Sequence, residues 1–233
     1  MKTENLSVVY EDNHLIVVVK EANIPTQEDE TKDEDLLNIV KNYIKQKYHK
    51  PGEVFLGLVH RLDRRVGGLM VFARTSKAAS RLSETIRLHQ FKKEYLALVS
   101  GVTPKSGRLI DYLDKVEKNG PKAVITTAEN GGQEAILEYE TLKTVQFEKR
   151  DFSLVRVNLI TGRYNQIRVQ FSHFKHPIIN DFKYGYQGTN FNDQLGLVCS
   201  VLRFPHPTTK EDLEFSFVPS DGIWEGLGEV RHD

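Results

Sequence analysis

Between His60 and Ala73 the chain reads HRLDRRVGGLMVFA, one carboxylate, Asp63, among three arginines, Arg61, Arg64 and Arg65, followed by two glycines and an apolar run. Neighbouring cations favour the charged form of a carboxylate, and an ionised Asp suits a nucleophile or a charge stabiliser better than a proton donor. The tetrapeptide alone fits equally a strand end carrying a surface Asp-Arg pair, which contributes little. A second stretch about a hundred residues on, LITGRYNQIRVQFSHFKHPIINDFKYG, also groups chemistry-bearing residues. There Thr161 can cap a helix that carries Ile167, Phe171 and Phe174 on one face and stops at His176-Pro177, which leaves Arg163 and Arg168 available for a site.

The elements that must position these groups are legible in part. Residues 6–10 and 15–20, separated by EDNH, read as two short strands around a turn. Residues 21–35 hold seven acidic side chains against Lys32 alone and include Pro25, and they read as an acidic surface loop. From Asp33 apolar residues recur at helical spacing through Tyr48 until Pro51-Gly52 closes the segment. Residues 54–59 then form an apolar strand delivering HRLD at its end, and Gly67-Gly68 permit close backbone packing before a strand over 69–73. Thr75-Ser76 can cap a helix reaching about His89 with Ala79, Leu82 and Ile86 inward and Lys77, Arg81 and Arg87 outward. A strand over 94–100 ends at Gly101, residues 103–132 give no clear boundaries, and 134–145 with 152–160 alternate as two antiparallel strands do. Strands near 195–204 and 213–218 read as a sheet edge and tail.

Composition bounds the function. A chain of 233 residues with 27% charged and 39% hydrophobic residues is expected to form one compact domain, 1–233. The single cysteine, Cys199, excludes an internal disulfide, and no Cys/His cluster has metal-ligand spacing, so no metal is expected. The N-terminus lacks an apolar signal-peptide core and no apolar run approaches membrane length, which points to a cytoplasmic, non-membrane protein. Net charge is zero, yet residues 60–108 carry eleven Lys/Arg against three Asp/Glu, a basic middle beside the acidic loop. Such a face suits phosphate binding, although a solvated helix surface produces the same pattern.

Taken together, four stretches in order carry a resemblance. HRLD with its glycine-containing turn, KKEYLALVSG at 92–101, TGRYNQIR followed by HPIINDFKYG, and LRFPHP at 202–207 closely resemble the RluA family of RNA pseudouridine synthases, from near Tyr10 to about Val218. The resemblance implies an α/β (α+β) pseudouridine synthase fold, a mixed, mainly antiparallel central sheet with flanking helices and a central active-site cleft. It implies that Asp63 is the covalent-acting carboxylate, that Tyr95 lies against the uracil ring, and that Arg168 pairs with Asp63. No metal or organic cofactor is implied. The substrate would be RNA, transfer RNA or ribosomal RNA, acted on by a monomer without the S4 domain that some members carry. A stacked uridine must be flipped out. The resemblance implies that Arg61 would fill the gap, with Arg64, Arg65, Lys77, Arg81 and Arg163 as candidate RNA contacts.

Five positions depart from the family pattern. Val66-Gly67-Gly68 stand where Thr-Ser-Gly is usual, Asn165 stands for a His, Asn180 for a common Gly, and Val198 for a His. None removes Asp63, Tyr95 or Arg168, so activity is expected. The lost hydroxyls keep open an RNA-binding or RNA-folding factor without chemistry on the same scaffold. A glycoside hydrolase is poorly matched because no second carboxylate has a comparable setting.

Overall fold

In the computed structural model residues 6–117, 120–147, 149–225 and 227 are described. The chain divides into two compact units, Met1–Lys93 with Cys199–Phe217, and Glu94–Val198 with Val218–Asp233.

In the first unit LIVVVK becomes β2 (Leu15–Lys20), buried at every position, as a strand covered on both faces must be. It pairs antiparallel with β1 (Ser7–Glu11) and with β4 (Gly67–Ala73), in the register Lys20 to Gly68 and Leu15 to Ala73. The strand expected over 54–59 shrinks to β3 (Gly57–Leu58), paired with the end of β4. Beyond β4 comes β10 (Leu197–Pro205), with β11 (Asp212–Ser216) paired to it. The region expected to be edge and tail therefore includes a fully buried stretch, Leu197 through Leu202, and only β11 has the exposed character of an edge.

Two helices cover this unit. The helix α1 (Leu36–Lys47) starts where Asp35 accepts a hydrogen bond from Asn38 N at 3.0 Å, and it buries Leu36, Ile39, Val40 and Ile44. The helix α2 (Ser76–Arg87) is capped as the sequence indicates, Ala78 N donating to Thr75 Oγ1 at 3.1 Å. Its inner stripe is Ala78, Leu82 and Thr85, turned by one residue from the expected Ala79, Leu82 and Ile86. One glycine is obligatory. Gly68 has φ +113°, and a Cβ there would fall 2.2 Å from the carbonyl oxygen of Cys199, so backbone occupies the space that any side chain needs.

In the second unit five strands follow one another antiparallel in the order β5 (Lys92–Ser100, from Glu94 in this unit), β9 (Arg150–Leu159), β8 (Gln133–Phe147), β6 (Ser106–Val116) and β7 (Lys122–Thr126). The stretch 103–132 that the sequence left open thus contains two strands. The third helix, α3 (Gln166–His173), packs Val169 into a cluster with Leu113, Ala123, Ala135 and Tyr184. The overall class is the expected one, a mainly antiparallel sheet with three α-helices among the described residues. No helix among them is long and apolar enough to cross a membrane.

Candidate active site

Asp63 sits in the loop between β3 and β4, half-buried, between buried Leu62 and the half-buried Arg64 and Arg65. Its Oδ1 accepts from Arg65 N at 2.8 Å and its carbonyl from Val66 N at 3.0 Å, a turn closed by the carboxylate itself. Both neighbours in sequence are tied to the end of β2 and the segment that follows it. Thr26 Oγ1 donates to Leu62 O at 2.9 Å on one side, and Lys20 Nζ donates to Arg64 O at 2.9 Å on the other. The loop is therefore held before and after Asp63 by buried groups.

Lys20 is the unusual member. It is 1% exposed, and its ammonium also donates to the carbonyls of Glu21 at 3.0 Å and Ile24 at 2.6 Å, so its three N–H groups meet three carbonyl oxygens. Burial pulls its pKa down to about 7; the charge of Asp63 opposes that shift and the charge of Arg64 adds to it. His60 is likewise buried. Its Nε2 accepts from Val71 N at 3.1 Å, which places the ring proton on Nδ1, and burial, aided by the charge of Lys93, pushes its pKa down to about 3. A neutral ring tilted at 50° against Phe91, with centroids 5.3 Å apart, is a packing element of the turn. Val66, where the family pattern has a hydroxyl, is buried at 3% exposure and serves the core.

The arginines of HRLDRR part company. Arg61 is exposed. Arg64 turns away from Asp63 toward residues 23–33, donating to Asn23 O and Thr31 Oγ1 and pairing with Asp29 and Asp33. Lys77 is exposed on α2, while Arg81 donates through Nη1 to Pro207 O at 2.8 Å and so braces the turn after β10.

The remaining expected site residues belong to the second unit. Tyr95 is 5% exposed on β5 opposite Val157. Arg168 is 3% exposed on α3, and it forks onto Asp181, Nε to Oδ2 at 2.8 Å and Nη2 to Oδ1 at 2.7 Å, with the Tyr184 ring 4.9 Å away. Thr161 does not cap the helix as expected. Its hydroxyl serves the preceding turn, accepting from Ile136 N at 2.7 Å and donating to Gln166 Oε1 at 2.8 Å. The N-cap is Asn165 at φ 49°, and its amide donates to Tyr184 Oη at 3.1 Å. The helix also stops earlier than expected, at His173, while His176 binds the Ser100 carbonyl at 2.8 Å. Arg163 is exposed and donates to Glu134 O at 2.9 Å. Asn180, standing for a glycine of the family pattern, adopts φ 62°; its side chain holds the 191–194 turn by donating to Phe191 O and Gln194 O, each at 2.7 Å.

Sequence reasoning missed Lys20, Thr26 and the role of Asp181. A lysine closing an otherwise apolar buried strand was the visible signal for the first. Asp181 was visible in HPIINDFKYG, but its pairing with Arg168 was not, and Thr26 gave no signal, because its partner lies 36 residues away.

The comparisons decide the family. The family model for RNA pseudouridylate synthase matches residues 14–173, which include HRLD, the Tyr95 strand, QIR and parts of both units. The chain belongs to the RNA pseudouridylate synthase family. Within it, the chain is of the RluA type and so belongs among isomerases. It is 29% identical over 244 residues to tRNA pseudouridine synthase C of Vibrio parahaemolyticus, covering 97% of this chain and 95% of that protein. It is 30% identical over 248 residues to ribosomal large subunit pseudouridine synthase D of Vibrio cholerae, covering 98% of this chain and 72% of that one. Among solved structures, human RNA pseudouridylate synthase domain containing 1 shares the fold at a TM-score of 0.75 and 22% identity, covering 94% of this chain and 86% of the human one.

Proposed function

We propose that this pseudouridine synthase isomerises uridine to pseudouridine in a structured RNA, either transfer RNA or large-subunit ribosomal RNA, with Asp63 as the reacting carboxylate. The N1–C1′ bond breaks, a C5–C1′ bond forms, the proton on C5 leaves and N1 gains one. Atoms and electrons balance without an oxidant or reductant. Tyr95 lies against the uracil ring and Arg168 is the electrostatic partner of Asp63. Arg61 replaces the flipped base, and Arg64, Arg65, Lys77, Arg81 and Arg163 serve RNA phosphates. The observation that carries the reading is the double fastening of the Asp63 loop. Backbone on both sides of one half-buried carboxylate is fixed by buried donors, as a reacting group held to a narrow geometry requires. The two substrate classes rest on relatives named for one and for the other.

The test is pseudouridine mapping across transfer and ribosomal RNA from cells with and without this protein, followed by treatment of the unmodified RNA with purified protein. A site lost in the cells and restored in the tube is expected. RNA binding with no pseudouridine formed in either setting contradicts the reading and favours an RNA-binding factor.

A further inference from the structure

The arginine adjacent to the proposed reacting carboxylate is already clasped by its own chain. Arg64 Nε donates to Asn23 O at 3.2 Å, Nη1 to Thr31 Oγ1 at 2.9 Å and to Asp29 Oδ2 at 3.4 Å, and Nη2 pairs with Asp33 Oδ2. The acceptors are set by a local turn. Thr31 donates from its backbone N at 2.9 Å and from its hydroxyl at 2.5 Å to Asp29 Oδ1, Lys32 N donates to Asp29 O at 3.2 Å, and Lys32 takes φ 58°. Two carboxylates and a hydroxyl thus meet one guanidinium, the oxygen arrangement that a phosphate offers it.

The ends of this segment are anchored and its middle is not. Pro25 and Thr26 are buried and their carbonyls accept from Leu36 N at 2.9 Å and Leu37 N at 3.1 Å, while Asp35 is buried as the cap of α1. Residues 28–34 are all exposed, and they carry five acidic side chains against Lys32. Solvent-facing ion pairs of this kind are readily exchanged and weakened by salt. A phosphate backbone approaching Arg64 meets negative charge already in place, so clasp and phosphate exclude each other.

We propose that the acidic stretch 27–34 is an internal phosphate mimic that occupies Arg64 in the free protein and is displaced when RNA binds. This rests on the proposed RNA-modifying function. The clasp lowers affinity for RNA in general, and Arg64 engages a substrate only after the stretch has swung away between its anchors at Thr26 and Asp35.

The test measures binding of a fluorescent uridine-containing RNA stem-loop at low salt. Asp29→Asn with Asp33→Asn should tighten binding about threefold to tenfold, and this gain should vanish in an Arg64→Ala background. Glu28→Gln with Glu30→Gln removes the same charge without touching the guanidinium and should tighten binding by a clearly smaller factor, since it changes only the surrounding field. Equal gains from the two pairs, or a gain that survives Arg64→Ala, overturn the proposal. Hydrogen exchange supplies an arm that needs no RNA. Residues 27–34 of the free protein should exchange faster in Arg64→Ala than in the wild type, and unchanged exchange overturns the clasp. Wild-type protein that binds no RNA refutes the proposed function, and the competition with it, while faster exchange in Arg64→Ala would still record the contact.

Discussion

Two arginine-carboxylate arrangements in this chain are built oppositely. Arg168 and Asp181 form a two-point fork in the interior of the second unit, with side chains 4% and 0% exposed. Arg64 reaches across an exposed turn to Asp29 and Asp33, whose side chains are 38% and 52% exposed. In the interior neither partner can fall back on water, so the fork is permanent structure. At the surface each group has water as an alternative, and the pair can open at small cost. The lesson for the site is that Arg64, although next to Asp63 in sequence, is engaged by another segment of the chain. Backbone, through Lys20 and Thr26, fixes that carboxylate, and the neighbouring arginine is spent elsewhere.

The largest effect should come from breaking the interior fork. Asp181→Asn takes from the buried Arg168 guanidinium the charge of its two-point fork, and thermal or urea unfolding should show a loss of about 3–5 kcal/mol. A loss well below that would mean that water reaches the pair, and the contrast would weaken. Asp33→Asn, the corresponding change in the exposed pair, should leave the unfolding midpoint unmoved and show itself only in salt-dependent RNA binding.

Between these lies Lys20, buried like the fork but satisfied by carbonyls. Its pKa near 7 in the folded protein is below the 10.5 of an ordinary lysine, so between those values the unfolded chain holds the extra proton. Unfolding free energy therefore rises with pH across that window, with a contribution approaching about 1.4 kcal/mol per pH unit. Lys20→Met should remove that component of the slope. A slope equal in both proteins would show that the three carbonyls keep Lys20 charged throughout.

Much of this architecture is written locally. LIVVVK, the Thr75 cap of α2 and the glycine pair that opens β4 are properties of a few consecutive residues, and each appears in the structure near its expected place. What failed depended on tertiary contacts. The stripe of α2 turned by one residue because Ala78 and Thr85 pack inward in place of Ala79 and Ile86. Thr161 looked like a helix cap, but its hydroxyl finds Ile136 on a neighbouring strand, and a left-handed Asn165 starts the helix instead. The motif points to a candidate carboxylate, while the hold that the lysine and threonine have on its loop is not written locally, since their partners are 44 and 36 residues away.

The central claim is that Asp63 carries the chemistry, and release of tritium from RNA labelled at uracil C5 tests it most directly. The wild-type protein should release tritium as pseudouridine forms, and folded Asp63→Asn should release it at least about a thousandfold more slowly while still binding RNA. Equal release by the two proteins would contradict the account.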